Sequence, residues 1–316
     1  MPPLTLTLFT NARLIDPEIG QIIDGGLLVE DGKITGILTQ PVENANTYGA
    51  DSIIDCAGKY LAPGIIDIGV KVCEPGERHK ESFRSAGAAA AAGGGTTIVT
   101  RPDTDPAIDN PETLEFVIRR AREAAPVHVL PMAALTKGRM GREMTEISFL
   151  LDAGAVAFTD CDHVVTDTKV FSRALTYARS LGALVIAHVQ EPGLSKGACV
   201  TSGKFASLRG LPGVTPMAER MALDRDIALI EMTGARYHVD QITTARALRR
   251  GGRGRGLGAD RHHLVHAHAA GRRKQTPALR GSRQRGRGTG NLPARRIAAG
   301  ARGSDRSATT VARHVA

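Results

Sequence analysis

From residue 65 to residue 242 the chain alternates short runs of β-branched and aliphatic residues with longer stretches of helical period, and no other feature limits its fold as tightly. The strand candidates are 65–72, 96–100, 127–132, 155–159, 184–188 and 236–242. Helical stretches lie between them at 77–92, 111–125, 168–181 and 216–233. Strand and helix in regular succession predict a parallel sheet with helices packed outside it. Polar residues gather at the strand C-terminal ends, as in "GVKVCEP", "VTRPD", "FTDCD" and "IAHVQ", which is where a (β/α) barrel carries its site. The predicted class is α/β, an incomplete TIM-like (β/α) barrel, because about six units can be counted and closure takes eight.

Ahead of the barrel, "LTLFTNARLID", "GGLLVEDGKITGIL" and "DSIIDCAGKYLAPG" read as short strands joined by Asp-Gly and Gly-Gly turns, a small β unit over 1–62. The barrel portion is placed at 63–250. Beyond it the composition changes. Residues 251–316 hold fourteen Arg and one Lys against Asp260 and Asp305, whereas 1–250 hold 26 basic and 30 acidic residues of the chain's 41 and 32. The net charge of +9 is therefore a property of the tail.

That tail has no Phe, Tyr, Met, Glu or Cys and no sustained period, so it has no face to bury and disorder is expected. Arg, Gly, Ala and His are what GC-rich DNA encodes when misread, and the expectation is a frame slip near codon 250. An ordinary basic tail is the second reading. An RNA-binding tail built on "RGRG" is the third, disfavoured because no aromatic residue is interleaved for base stacking, so nucleic acid is not expected as a partner.

Cys56, Cys73, Cys161 and Cys199 are widely spaced with no CxxC pair, which argues against a disulfide framework and against a zinc ribbon. No charged segment precedes a short apolar one at the N-terminus, and no apolar run approaches 18 residues. No membrane association is expected, and the cytoplasm is the expected compartment.

Several stretches carry a resemblance. "LAPGIIDIGVKVCEPG", "GGGTTIVTRPDTDP", "AGAVAFTDCD", "GALVIAHVQEP", "SLRGLPGVTPMAER" and "RYHVDQITT" stand in the order and spacing of the dihydroorotases, members of the amidohydrolase superfamily. The resemblance covers residue 11 to about 250. It implies an amidohydrolase-type barrel flanked by a β-sandwich built from both chain ends, here present only as a partial N-terminal sandwich. It also implies ring-opening and ring-closing chemistry in pyrimidine synthesis, in which a metal-activated water attacks an imide carbonyl.

The same resemblance places the family's ligands on this sequence. The H-x-H pair of the first strand falls on Gly69 and Lys71; glycine offers no ligand atom, and an ammonium repels a divalent cation. The bridging aspartate falls on Cys161, with Asp160 before it. The fifth-strand histidine is kept as His188, the one family ligand position retained. The sixth-strand ligand falls on Gln241, the nearby His238 being no ligand in that pattern, and the eighth-strand catalytic aspartate lies past the break. The arginine that clamps the substrate carboxylate corresponds to Cys73, and the following asparagine to Asp103, with Arg101 beside it.

No catalytic residue and no metal are accordingly expected. Lys71 reads as an ammonium paired with Asp160, Asp162 or Asp240, a covalent or carbamylated lysine being the other reading. Three functions remain. The first is a catalytically inactive dihydroorotase-like protein kept as a structural partner of aspartate transcarbamoylase, in a homo- or hetero-oligomer. The second is a cyclic amidohydrolase with an altered site, in which Cys73, Cys161 and His188 hold zinc and Asp160 orients a water. The third is a truncated product without function.

Overall fold

A computed structural model describes residues 5–42, 44–244 and 247. Strands β1 (Leu6–Asp16), β2 (Gln21–Glu30), β3 (Lys33–Leu38), β4 (Ser52–Asp55) and β5 (Tyr60–Leu61) make one sheet of order β3-β2-β1-β4, with β5 also on β1. β2 and β3 are joined at Asp31-Gly32, both with positive φ, the conformation that a tight hairpin between right-twisted strands requires. The expected Gly-Gly turn does not form. Gly25 and Gly26 lie inside β2, where a Cβ on Gly25 would stand 1.8 Å from the Leu38 carbonyl oxygen and one on Gly26 would stand 2.5 Å from that of Phe9. These glycines permit close strand approach instead. Phe9, Ala12, Leu14, Leu27, Val29 and Leu61 form the buried face. This is one sheet of the expected sandwich.

The barrel portion begins with β6 (Ile65–Val70), followed by α1 (Phe83–Ala92), β7 (Gly95–Thr100), α2 (Pro111–Ala124), β8 (His128–Pro131), α3 (Ile147–Asp152), α4 (Thr168–Ser180) and β9 (Leu184–His188). A short excursion follows, α5 (Pro192–Ser195), β10 (Val200–Thr201), α6 (Lys204–Arg209) and β11 (Gly213–Val214). Then come α7 (Pro216–Thr233) and β12 (Arg236–Asp240). β6, β7 and β8 pair in parallel, as do β9 and β12.

The expected strand at 155–159 is too short for a ladder of its own, yet it joins these two sheets. Phe158 bridges Ala133 on one side and Val185 on the other, both in parallel. Val156 N–H donates to the Pro131 carbonyl at 3.1 Å, Phe158 N–H to that of Leu184 at 2.9 Å, and Ile186 N–H to that of Phe158 at 2.8 Å. The result is one six-membered curved parallel surface in sequence order. Among the described residues β6 pairs only with β7, and β12 only with β9. Ile66 and Ile68 pair with Thr97 and Val99 and so share their inner face, and both are exposed.

The helices follow from their caps and spacing. Asn110 accepts the Thr113 N–H, Pro111 sets the first turn, and Leu114, Val117 and Ala121 bury one stripe of α2. Asp167 caps α4, which buries Phe171, Ala174, Leu175 and Ala178. α1 starts six residues later than its sequence pattern suggests, because Ser82 and Ser85 close a reciprocal capping box and Glu74 takes the Phe83 N–H. Gly93 caps the C-terminal end of α1, as "AAGGG" leads one to expect. The main core lies between these helices and the sheet, while Val99, Met132, Ala157 and Ile186 form a smaller cluster on the inner face.

Two polar contacts fix the helices to the sheet. The Asp226 carboxylate, fully buried on α7, takes the Arg225 guanidinium at 2.7 Å and the Tyr237 hydroxyl of β12 at 2.5 Å. Glu74 accepts the Arg120 Nε at 2.7 Å and the Phe83 N–H at 3.1 Å, tying the loop after β6 to α2. Burial alone would raise the Glu74 carboxyl, but Arg120, the Phe83 N–H and Arg78 together hold it below its ordinary value.

Two outcomes follow. Asp226→Ala strands a partly buried guanidinium and a buried phenol, and should lower the unfolding free energy by about 3 kcal/mol in a urea titration. Because the folded-state pKa of Glu74 is depressed, its contribution is present above the ordinary glutamate range and fades as pH falls through the lowered value. Thermal melts of Glu74→Gln should therefore fall below the parent at neutral pH and converge with it on acidification. A constant difference across that range would show that the carboxylate charge is not what holds the loop.

Candidate functional site

The C-terminal ends of the parallel strands carry Gly69 within β6 and Lys71 and Cys73 after it, Arg101 and Asp103 after β7, Asp160 to Asp162 after the short fourth strand, His188 ending β9, and Gln241 after β12. Three of the sequence-marked ligand positions have a left-handed backbone: Gly69 at φ 93°, Cys161 at 59° and Gln241 at 56°. At Gly69 the register of β6 on β7 shifts, and a Cβ built there meets nothing within 4 Å. Space is thus available, and the backbone itself is what disfavours any other residue at 69.

Lys71 is paired with Asp103, Nζ to Oδ2 at 3.1 Å, and not with Asp160, Asp162 or Asp240 as the sequence suggested. The reason is connectivity. β6 and β7 are neighbours, so the residues that follow them meet, whereas the other acidic groups nearby are already engaged. Asp160 accepts the N–H groups of Leu135 and Thr136, each at 3.0 Å, and the Thr136 hydroxyl. Asp162 takes Arg139 at 3.4 Å and Arg101 at 3.6 Å. Arg101 also reaches Asp103 Oδ2 at 3.1 Å. The hydrogen bond and charge of Asp103 push Lys71 above its ordinary value, so it stays an ammonium.

Cys161 is buried, and burial pushes its thiol up to about 11 although Arg101 pulls the other way. Burial likewise raises Asp160, opposed by the Thr136 hydroxyl and N–H. Cys73 is buried, and its carbonyl takes the Glu77 N–H at 2.8 Å. The Nε2–H of His188 donates to Gln190 Oε1 at 2.9 Å. His188, Gln190, Arg139, Asp162, His163 and Ser195 line a cleft of about 400 Å³. Lys71, Cys73 and Asp103 are not among its walls.

These side chains do not fit a metal pair. One position is glycine, which offers no ligand atom; the next is an ammonium bound to a carboxylate; and the third, Cys161, is a buried thiol flanked by the Arg101 and Arg139 guanidinium charges. Nor do Cys73, Cys161, His188 and Asp160 come together: among the described residues no three His, Cys, Asp or Glu side chains are grouped to hold an ion. All four cysteines are free. Arg139 is the main residue that sequence reasoning missed. It stands at φ 58° in the loop after β8 and joins Asp162 to the Asp160 carbonyl. Its signal was the basic run "TKGRMGRE", in a loop at the correct end of the sheet.

Comparison with known proteins agrees with this architecture. The family model described as Dihydro-orotase-like matches residues 58–247. Dihydroorotase of Syntrophobacter fumaroxidans is 37% identical over 242 residues, covering 77% of this chain and 55% of its own length. Dihydroorotase of Bacillus cytotoxicus is 38% identical over 242 residues with the same two shares. The chain spans about half the length of the curated relatives it matches. Among solved structures, the L-hydantoinase of Arthrobacter aurescens superposes with a TM-score of 0.66 at 21% identity, over 84% of this chain and 58% of that one. A D-hydantoinase gives 0.62 at 23%, over 83% and 57%. These last likenesses show that the chain shares the fold of those proteins over most of its length. With more than half of its residues matched by the family model, the chain belongs to the dihydroorotase-like family.

Proposed function

We propose that this chain is a dihydroorotase-like protein of pyrimidine metabolism that does not hydrolyse a cyclic amide and serves a structural role. The observation that carries the reading is the Lys71–Asp103 ion pair at 3.1 Å, at the position where the family's first-strand metal ligands belong. A hydrolase of this kind needs a nucleophilic water and a proton carrier. The resemblance assigns the first to a metal pair whose ligand positions here are Gly69, Lys71, Cys161 and Gln241, and the second to an aspartate with no counterpart in the matched residues.

What the mouth can do is bind and hold. Asp103 is neutralised from two sides, Asp160 is consumed by the backbone of the loop after β8, and the cleft beside His188 offers imidazole and amide groups without an activated nucleophile. The structural role extends, on the strength of the family resemblance, to aspartate transcarbamoylase as the partner, since relatives of this kind hold that enzyme in a complex. The four free thiols suit the reducing cytoplasm. No helix among the described residues is long and apolar enough to cross a membrane.

Three measurements bear on this reading. Purified protein should carry well under one zinc per chain by elemental analysis; a tightly held ion, lost on Cys161→Ser, would move the proposal to the altered-site enzyme. Dihydroorotate hydrolysis should be undetectable, and Gly69→His with Lys71→His should not create it, because the backbone at 69 is left-handed and two further positions remain unsuited. Turnover that vanishes with His188→Ala would refute the non-catalytic reading. At pH 8 a thiol with a pKa of about 11 is thiolate in only about one molecule in a thousand. Iodoacetamide should therefore label exposed Cys199 rapidly and Cys161 only on unfolding, and rapid labelling of Cys161 in the folded chain would mean a reactive thiolate at the mouth.

A further inference from the structure

We infer that the mouth of this barrel is held by the chain's own cations, Lys71 and Arg101 meeting on the Asp103 carboxylate, which cross-link strand ends there without a metal. The inference rests on the reading that the family's ligands are lost, and it concerns what replaced their mechanical role. The charges alternate along a line. Lys71, after β6, meets Asp103 at 3.1 Å; Asp103 meets Arg101, after β7, at 3.1 Å. Arg101 meets Asp162, after the fourth strand, at 3.6 Å, and Asp162 meets Arg139, after β8, at 3.4 Å. The Arg139 guanidinium donates onward to the Asp160 carbonyl at 3.4 Å. Four strand ends are thereby tied together, and two of them, those of β6 and of the fourth strand, carry positions where the family's metal ligands belong.

The links differ in strength. Asp103 is 4% exposed and Arg101 is 19% exposed, so their attraction is little screened by water. Lys71 and Asp162 are 53% and 70% exposed, so the outer links are weaker. Asp103 is therefore the keystone. A carboxylate this buried needs its cations, and with both it accepts them on one oxygen, Oδ2, while Oδ1 is buried without a hydrogen-bond partner. The cation set travels with the polypeptide, so the integrity of the mouth is independent of metal supply.

Thermal melting of the 316-residue chain tests this. The melting temperature should not change on adding EDTA or zinc. Lys71→Met should lower it by roughly 2–4 °C, Lys71→Arg should restore most of that loss, and Asp103→Asn should lower it by roughly 4–8 °C. The double variant should lose less than the sum of the two, because each substitution removes the same link. Should Asp103→Asn fail to fold, the Lys71→Met and Lys71→Arg pair decides alone, since Lys71 is half exposed and its replacement leaves the core intact. The inference is overturned if Lys71→Met melts at or above the parent, if Lys71→Arg fails to recover the loss, if the two losses add in full, or if EDTA lowers the parent's melting temperature. Hydrolysis of dihydroorotate by the parent would refute the proposed function and leave this coupling standing, whereas lost coupling in an inactive chain would refute only the inference.

Discussion

The two parallel sheets of this protein are one surface because one short buried segment, residues 156–159, hydrogen-bonds to both. Phe158 lies between Ala133 and Val185: its N–H and carbonyl both pair with β9, at Leu184 and Ile186, while Val156, Ala157 and Thr159 bond to Pro131 and Ala133 on the other side, and its ring is fully buried in the main core. A backbone group buried without a partner is costly, so this short segment has one placement in which all its donors and acceptors are used. From that placement the rest follows. β8 and β9 come to lie side by side one strand apart, α3 and α4 pack on the outer face, and the residues after each strand arrive at a common rim.

At that rim electrostatics takes over from packing. Asp160 and Asp162 are adjacent in sequence and have opposite duties. Asp160 turns inward to cap the loop after β8, and Asp162 turns outward to gather guanidinium groups. Cys161 between them, left-handed and dry, is the residue over which the chain reverses its side-chain direction. A thiol in that place adds apolar volume rather than a ligand. Internal ion pairs thus occupy much of the rim, and the cleft lined by His188 and Gln190 lies beside it.

Much of this was readable in advance, for physical reasons. Strands β6, β7 and β9 are short runs rich in aliphatic and β-branched residues bounded by Gly, Pro or charged groups, and buried parallel strands demand such runs. The helices announce themselves by Asn110, Asp167 and Thr215 at their starts and by apolar spacing of three and four. The start of α1 was hidden because Glu77 to Glu81 have helical propensity, while a distant carboxylate, Glu74, decides where the first free N–H is satisfied. The partner of Lys71 was hidden for a related reason. Any of several aspartates suits an ammonium on paper, and only the order of strands in the sheet selects one. Backbone sign at Gly69, Cys161 and Gln241 has no sequence signature beyond the glycine itself. The basic tail and its expected frame slip, like the boundary at residue 250, lie outside the described residues.

The order of the strands has one more consequence. Among the described residues each of the six strands pairs only with those next to it in the chain, so the sheet contacts there are made between successive units. A closed barrel couples its two ends and melts as one body. Successive units joined in this way behave like a one-dimensional stack of nearest-neighbour interfaces. Its contact order is low for a parallel sheet, so its pairing is fast to form. Its loss begins at the ends: β6, with Ile66 and Ile68 facing water, is the unit most readily peeled away, and the Phe158 junction in the middle is the last to part.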